Sequence, residues 1–268
     1  MSQPFVALIT GASSGIGEAT ARRVAREPGA QLVLVARRED RLHQLAGELD
    51  PAHPPAHAMV ISLDVTAPEA PSQIRDALER EHGRLDLLVN NAGAAWRGQF
   101  AETGWANVER HMKLNFEAPV KLTEALLPLL RQTARTSSRR VAIVNIASTS
   151  ARVSRPNSGA YSASKFALAG WSDALHQEEA PHGVHVGLVL PGFIKTEGFP
   201  AAELPGWMVS KPERVAEAIL EVGPGGKPER YVPRPYWLAA AMRILAPWLV
   251  RRATAGGAFT TSTGNREE

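Results

Sequence analysis

Thr10-Gly11-Ala12-Ser13-Ser14-Gly15-Ile16-Gly17 joins two segments of different periodicity. Before it, residues 5–10 form an unbroken run rich in branched apolar side chains, the pattern of a strand buried on both faces. After it, residues 16–26 carry apolar side chains at helical spacing, and Glu27-Pro28-Gly29 ends them. Between strand and helix, glycine allows a tight turn, keeps side chains out of the path of a pyrophosphate and lets the two elements pack closely. The helix start adds free N–H groups and the positive end of its dipole. Ser13 and Ser14 can add hydroxyl donors. A plain strand-to-helix turn is the competing reading, because glycines at 11, 15 and 17 do not match the G-x-G-x-x-G spacing.

Working outward, the same alternation repeats. Residues 31–36, 58–63, 85–89, 140–147, 184–190 and 229–232 read as further strands. Residues 38–49, 69–82, 105–135, 161–180 and 212–222 read as helices, the third broken in two near Pro119. Residues 50–57 are a Pro/His loop. Strands alternating with helices of this length predict an α/β fold: one doubly wound, Rossmann-type domain with a mostly parallel seven-stranded sheet and helices on both faces. No composition break marks a second domain. The expected unit spans 1–255, with a substrate loop at 192–211, an apolar C-terminal segment at 235–252 and a disordered tail at 256–268.

Composition excludes several classes. The 268 residues are 44% hydrophobic and 21% charged, ordinary globular proportions. There is no cysteine, so disulfides, thiolate metal sites and a cysteine nucleophile are excluded, and a reducing cytoplasm is the expected compartment. Net charge is +3, with arginines interspersed with acids along helices, which predicts solvated faces and no nucleic-acid partner. The N-terminus lacks a signal-peptide pattern, and no apolar run reaches the ~20 residues of a membrane span. The eight histidines suggest no metal site: two prolines separate His53 from His57, and His182 and His185 bracket a turn without an acidic partner.

The second strand ends Val35-Ala36-Arg37-Arg38. A carboxylate about 20 residues past the glycine turn would hold the ribose 2′-hydroxyl of NAD. Two guanidiniums stand there instead, matched to a phosphate dianion by paired charge-assisted bonds. They predict NADP(H), with Arg37 as the main fork and Arg38 adding field or a second contact. Further along, Tyr161 and Lys165 lie four apart at a helix start and share a face. A free phenol titrates near ~10, and a nearby ammonium would favour its ionised form, making Tyr161 a candidate acid/base. Ser148, at a strand end, can hold a substrate oxygen as charge develops.

These landmarks, with Asn90-Asn91-Ala92-Gly93 after the fourth strand and Pro191-Gly192 after the sixth, resemble the short-chain dehydrogenase/reductase family over roughly residues 5–222. The resemblance implies an oxidoreductase that moves a hydride between a nicotinamide and the carbonyl or alcohol carbon of a small molecule. It implies a catalytic set of Asn115, Ser148, Tyr161 and Lys165, with Asn115 supporting a proton-relaying water and Lys165 bonding the nicotinamide ribose. Gly11, Ser13, Ser14, Gly15, Ile16 and Gly17 would hold the pyrophosphate, and Asp64 and Val65 the adenine, although a helix-capping role explains Asp64 equally well. Asn91, Ala92 and Gly93 would floor the nicotinamide, and Pro191, Gly192, Ile194 and Thr196 would hold its carboxamide. The helices at 117–135 and 161–180 resemble those through which family members pair, which implies a homodimer or homotetramer. A catalytically silent NADP(H)-binding regulator of the same fold is the alternative, and loss of Tyr161 or Lys165 would have favoured it.

Phe193, Phe199, Leu204, Trp207 and Met208, with Trp96, predict a largely apolar pocket for a ketone, steroid-like or 3-oxoacyl substrate. Residues 236–250 are apolar apart from Arg243 and are interrupted by Pro247, with Arg251 and Arg252 following. Three roles stay open for this segment: capping the substrate site, packing on another subunit, or resting peripherally on a membrane through 236–252.

Overall fold

Alternate side chains of β1 (Phe5–Thr10) enter different apolar clusters: Phe5, Ala7 and Ile9 on one face, Val6 and Leu8 on the other. Strand side chains alternate in this way. A strand covered on both faces therefore reads as a continuous apolar run, and that is why the alternating pattern of an exposed sheet is missing here. The computed structural model describes residues 3–49, 58–197 and 206–255. The Phe5 face is covered by α1 (Gly15–Val24), α2 (Glu39–Leu49) and α7 (Pro212–Val222), through Ala21, Leu42, Val215 and Ile219. The Val6 face is covered by α3 (Ala70–Glu81), α5 (Ala118–Thr136) and α6 (Gly159–Glu179), through Ile74, Leu78, Leu126 and Leu175. Each fully buried leucine of these layers contributes roughly 1.5–3 kcal/mol.

With β2 (Ala30–Ala36), β3 (Ala58–Ser62), β4 (Leu87–Asn90), β5 (Val141–Ile146), β6 (Val184–Pro191) and β9 (Glu229–Val232), the sheet runs β3-β2-β1-β4-β5-β6-β9. Every pair in it is parallel. The order reverses between β1 and β4, so a crevice opens beyond their carboxyl ends, where doubly wound sheets bind ligands. Buried amides tie the helices to this end of the sheet. Asn90 donates to Asn145 Oδ1 (2.8 Å) and Thr123 Oγ1 (3.1 Å), and Asn145 donates to Ser172 Oγ (2.8 Å).

Three features differ from the sequence expectation. The helix expected from 105 begins as α4 (Phe100–Met112), kinked at Gly104, whose φ of 56° only glycine adopts easily. No chain break follows near Pro119. A π-helical turn, Lys113–Glu117, joins α4 to α5, and Pro119 sits in the first turn of α5, where a missing N–H costs nothing. Between β6 and α7, two short parallel strands, β7 (Phe193–Ile194) and β8 (Val209–Ser210), draw together the ends of the expected substrate loop. The apolar C-terminal segment forms two helices, α8 (Tyr236–Leu245) and α9 (Pro247–Ala255), separated at Pro247. The Pro/His loop at 50–57 and the tail at 256–268 lie outside the described residues.

Candidate active site

The glycine turn and the Asn-Asn-Ala-Gly segment meet at the reversal between β1 and β4. Thr10 Oγ1 accepts the N–H groups of Asn91 and Ala92, both at 3.0 Å, and donates to Val89 O. The Asn91 amide donates back to Thr10 O at 2.8 Å. A Cβ on Gly17 would stand 2.1 Å from Gly11 O, so a larger residue there would force strand and helix apart. Gly15 has a φ of 58°, and a Cβ on it would lie 3.2 Å from Thr196 Cγ2. Ser14 is the N-cap of α1 yet makes no side-chain bond to the first turn. That leaves the N–H groups of Ile16 and Gly17 to an anion. This tight turn, closed on one side by Thr196, fits the pyrophosphate of a dinucleotide.

Arg38, not Arg37, reaches this turn. Its guanidinium donates to Ser13 Oγ at 3.1 and 3.2 Å and to Ser14 Oγ at 2.6 Å. Glu197 lies 3.5 Å from it and ion-pairs with Arg41 at 2.6 Å. Arg37 is exposed and faces Asp64. Burial raises the Asp64 carboxyl, but the Thr66 bonds and the charges of Arg37 and Lys113 outweigh it and hold the group below its ordinary value. Asp64 Oδ1 accepts both the Thr66 N–H and hydroxyl at 2.8 Å, closing its own turn rather than capping α3. Val65 packs beside it against the Val6-side core.

The four expected catalytic residues converge. Lys165 is buried and donates to Ile146 O at 2.8 Å, with Nζ 6.0 Å from the centre of the Tyr161 ring. A Cβ on Gly93 would lie 3.0 Å from Asn115 Oδ1 and 3.4 Å from Lys165 Nζ, so only glycine leaves the backbone room against both. Ser148 accepts the Ser150 N–H at 3.1 Å, donates toward Pro191 O at 3.4 Å, and is hydrogen-bonded to the Tyr161 phenol. Asn115, in the π-helical turn, accepts the Ala94 N–H at 3.0 Å and donates to Ala94 O at 2.9 Å and Ser164 Oγ at 3.1 Å. Its side chain thus braces the segment after Gly93. Irregular turns of this kind are frequent at functional sites.

Burial sets the titration of the pair. It pushes the Tyr161 phenol up, while the Ser148 bond and the charges of Arg155 and Arg97 pull it down. Burial alone lowers Lys165 to about 8. Arg155 and Arg97 thus add cations that favour the phenolate, and the sequence reading missed both. Neither belongs to a periodic pattern, and no spacing announces them. His111 is buried and neutral: Nδ1 donates to Asn107 O (2.6 Å), so Nε2 accepts the Trp96 N–H (3.0 Å), and burial lowers its pKa. Its ring meets Tyr161 edge-on at 6.1 Å, so it packs beside the phenol. Among the described residues, no group of three His, Asp or Glu could hold a metal.

A cavity of about 560 Å³ extends from Ser148, Tyr161 and Lys165 past Pro191, Gly192 and Ile194. Phe193 and Met208 line it as expected, and Arg155 stacks on the Phe193 ring at 4.6 Å. Trp96 does not line it. Its ring packs on His111 at 4.9 Å under Arg110, because the backbone bond to His111 turns this side chain toward α4. Phe199 and Leu204 lie outside the described residues, as does the side chain of Trp207. The far wall comes from the C-terminal segment, in the first of its three open roles: Ala239 and Ala240 of α8 and Val250, Ala253 and Thr254 of α9. Tyr236 anchors that wall, its ring set where a Gly192 side chain would be and its hydroxyl donating to Met208 O at 3.0 Å.

The chain matches the short chain dehydrogenase family over residues 5–203. It is 35% identical to Dehydrogenase/reductase SDR family member 7B of Xenopus laevis over 92% of this chain and 80% of that protein. It spans less of the proteins of the same name from Bos taurus and Xenopus tropicalis, 58% and 62% of their lengths. Among solved structures, the alcohol dehydrogenase of Thermococcus sibiricus complexed with 5-hydroxy-NADP is 27% identical with a TM-score of 0.74, covering 85% of this chain and 96% of that one. The 3-ketoacyl-(acyl-carrier-protein) reductase of Brucella melitensis complexed with NADH is 29% identical with a TM-score of 0.73, covering 82% and 90%.

Proposed function

The chain belongs to the short-chain dehydrogenase/reductase family, and we propose that it is an NADP(H)-dependent oxidoreductase acting on the carbonyl or secondary alcohol of a largely apolar substrate. One observation carries the reading: the Tyr161 and Ser148 hydroxyls and Lys165 line a single cavity that continues to Ile16 of the glycine turn. When bound, the nicotinamide supplies or accepts the hydride. The chain's own residues manage the oxygen and the proton. Ser148 holds the substrate oxygen. Tyr161 gives that oxygen a proton in reduction and removes it in oxidation. Arg155 and Arg97 favour the phenolate left behind, against the desolvation that opposes it. Lys165, beside Gly93, bonds the ribose hydroxyls, and Asn115 keeps the Gly93–Ala94 backbone in place.

Arg38 supports the choice of NADP(H). It stands over Ser13 and Ser14 where no carboxylate follows Val35, so a 2′-phosphate meets a guanidinium and two hydroxyls. The relatives include proteins solved with either kind of nicotinamide, so this local chemistry carries the argument. The protein works in the cytoplasm as a two-fold oligomer on this reading. The outer face of α6, with Ala163, Phe166 and Gly170 exposed, offers a small-residue and apolar surface for a twin helix. The test is NADPH oxidation across medium-chain, aromatic and steroid ketones and 3-oxoacyl thioesters. Turnover of at least one supports the proposal. Tight NADPH binding with turnover of none supports the silent regulator instead.

A further inference from the structure

We propose that α8 and α9 rest on the surface of an anionic lipid bilayer, and that the substrate reaches Tyr161 from that bilayer. The second half rests on the cavity being the substrate site, as argued above; the docking itself does not.

The two helices are two-sided. Their inner side, with Ala239, Ala240, Val250 and Ala253, walls the cavity. Their outer side covers nothing in the described residues. It exposes Trp237 (53%), Ile244 (78%), Leu245 (80%) and Trp248 (65%), with Leu238, Met242 and Leu249 beside them. Among the described residues, seven of the ten exposed large hydrophobic side chains therefore fall on this helix pair. A concentration of that kind marks a binding surface rather than the usual scatter of single apolar residues. Capping the cavity uses only the inner side and leaves the outer side unexplained.

Charge chooses the occupant. Residues 233–255 contain Arg234, Arg243, Arg251 and Arg252 and no Asp or Glu. Tryptophan and aliphatic side chains flanked by arginine alone suit the boundary between acyl chains and acidic head groups, where arginine stems reach outward to phosphate. A second copy is a poorer fit. A two-fold interface places the same patch on both partners, so these arginines would face their own copies with no acid in the segment to pair them. No helix of the described residues is long and apolar enough to cross a membrane, so the contact is peripheral. Tyr236, held by Gly192 and Met208, fixes the pair between the cavity and that surface. A hydrophobic molecule leaving the bilayer between α8 and α9 would meet the alanine and valine wall first and the Tyr161 hydroxyl beyond it.

The test is sedimentation of the full chain with phosphatidylcholine vesicles, with and without phosphatidylglycerol. Binding should be at least roughly tenfold tighter with phosphatidylglycerol present and should weaken as salt rises. The variant Ile244→Ser/Leu245→Ser/Trp248→Ser changes only outer-face residues. It should lose vesicle binding, keep turnover of a small water-soluble ketone, and lose turnover of a long-chain ketone dissolved in vesicles. Arg251→Glu/Arg252→Glu should abolish the preference for phosphatidylglycerol. Absence of binding to either vesicle overturns the proposal, and so does a parent oligomer that the triple variant converts to monomer without any vesicle binding in the parent. Unchanged vesicle-borne turnover in the triple variant overturns the access route. Vesicle binding by a parent that turns over no ketone leaves docking standing and refutes the enzymatic reading instead.

Discussion

Replacing Arg38 by leucine removes the guanidinium that bonds Ser13 and Ser14 and leaves Arg37 in place. A charge-assisted hydrogen bond contributes about 1.5–3 kcal/mol net. The Arg38 side chain is 41% exposed and Glu197 competes for it at 3.5 Å, so solvent and a rival anion draw the gain toward the lower end. Since about 1.4 kcal/mol is tenfold, kcat/KM with NADPH should fall roughly tenfold. The value with NADH should change little, because no phosphate is lost from the contact. Arg37→Leu should cost less, roughly threefold, since that side chain is exposed and its charge is screened. Adding Ala36→Asp to Arg38→Leu should reverse the preference: the new carboxylate repels the 2′-phosphate and accepts ribose hydroxyls. The assay is kcat/KM for both cofactors with one reducible ketone. A parent that prefers NADH, or an Arg38→Leu variant that keeps the full NADPH preference, would refute the reasoning.

Two further outcomes follow from particular residues. Lys165 is charged below about 8 and loses its proton above it, so kcat/KM for NADPH, which reports the free enzyme, should hold below that pH and decline above it; a flat profile to pH ~9.5 would contradict the assignment. A Cβ on Gly170 meets nothing within 4 Å and would face outward from α6, so Gly170→Arg should leave the fold intact, raise helix propensity by roughly 0.8 kcal/mol and yield a monomer by light scattering; an unchanged oligomer would move the interface elsewhere.

The sheet was legible because its central strands are brief, apolar and bounded by turn residues, whereas the edge strand β9, Glu229-Arg230-Tyr231-Val232, carries little apolar signal. Pro212 and the acids of residues 39–40 marked helix starts by ordinary end chemistry. The π-helical turn at 113–117 was not legible, since one widened turn leaves the apolar spacing nearly unchanged. Pro119 drew attention to the right place for the wrong reason. The glycine turn, Ser148, Tyr161 and Lys165 were readable because each stands at a strand end or helix start. The choice of Arg38 over Arg37 was not, because neighbouring residues at a strand end leave in different directions and only the packed chain decides which meets Ser13. Trp96 was misplaced for a similar reason: hydrophobicity says that a ring is buried, not which cavity it adjoins. Arg97 and Arg155 reach the site only through tertiary structure, which also decides that the C-terminal segment walls the cavity, a role the sequence left open among three.

Tyr161→Phe bears most directly on the central claim, because it removes one hydroxyl and keeps the ring beside His111. Turnover of NADPH with the best ketone and binding of NADPH should be measured on the same preparation. Loss of the general acid should lower kcat by about 10² or more while cofactor binding stays within roughly twofold of the parent. A variant that turns over at the parent's rate would contradict the account, whatever its affinity for NADPH.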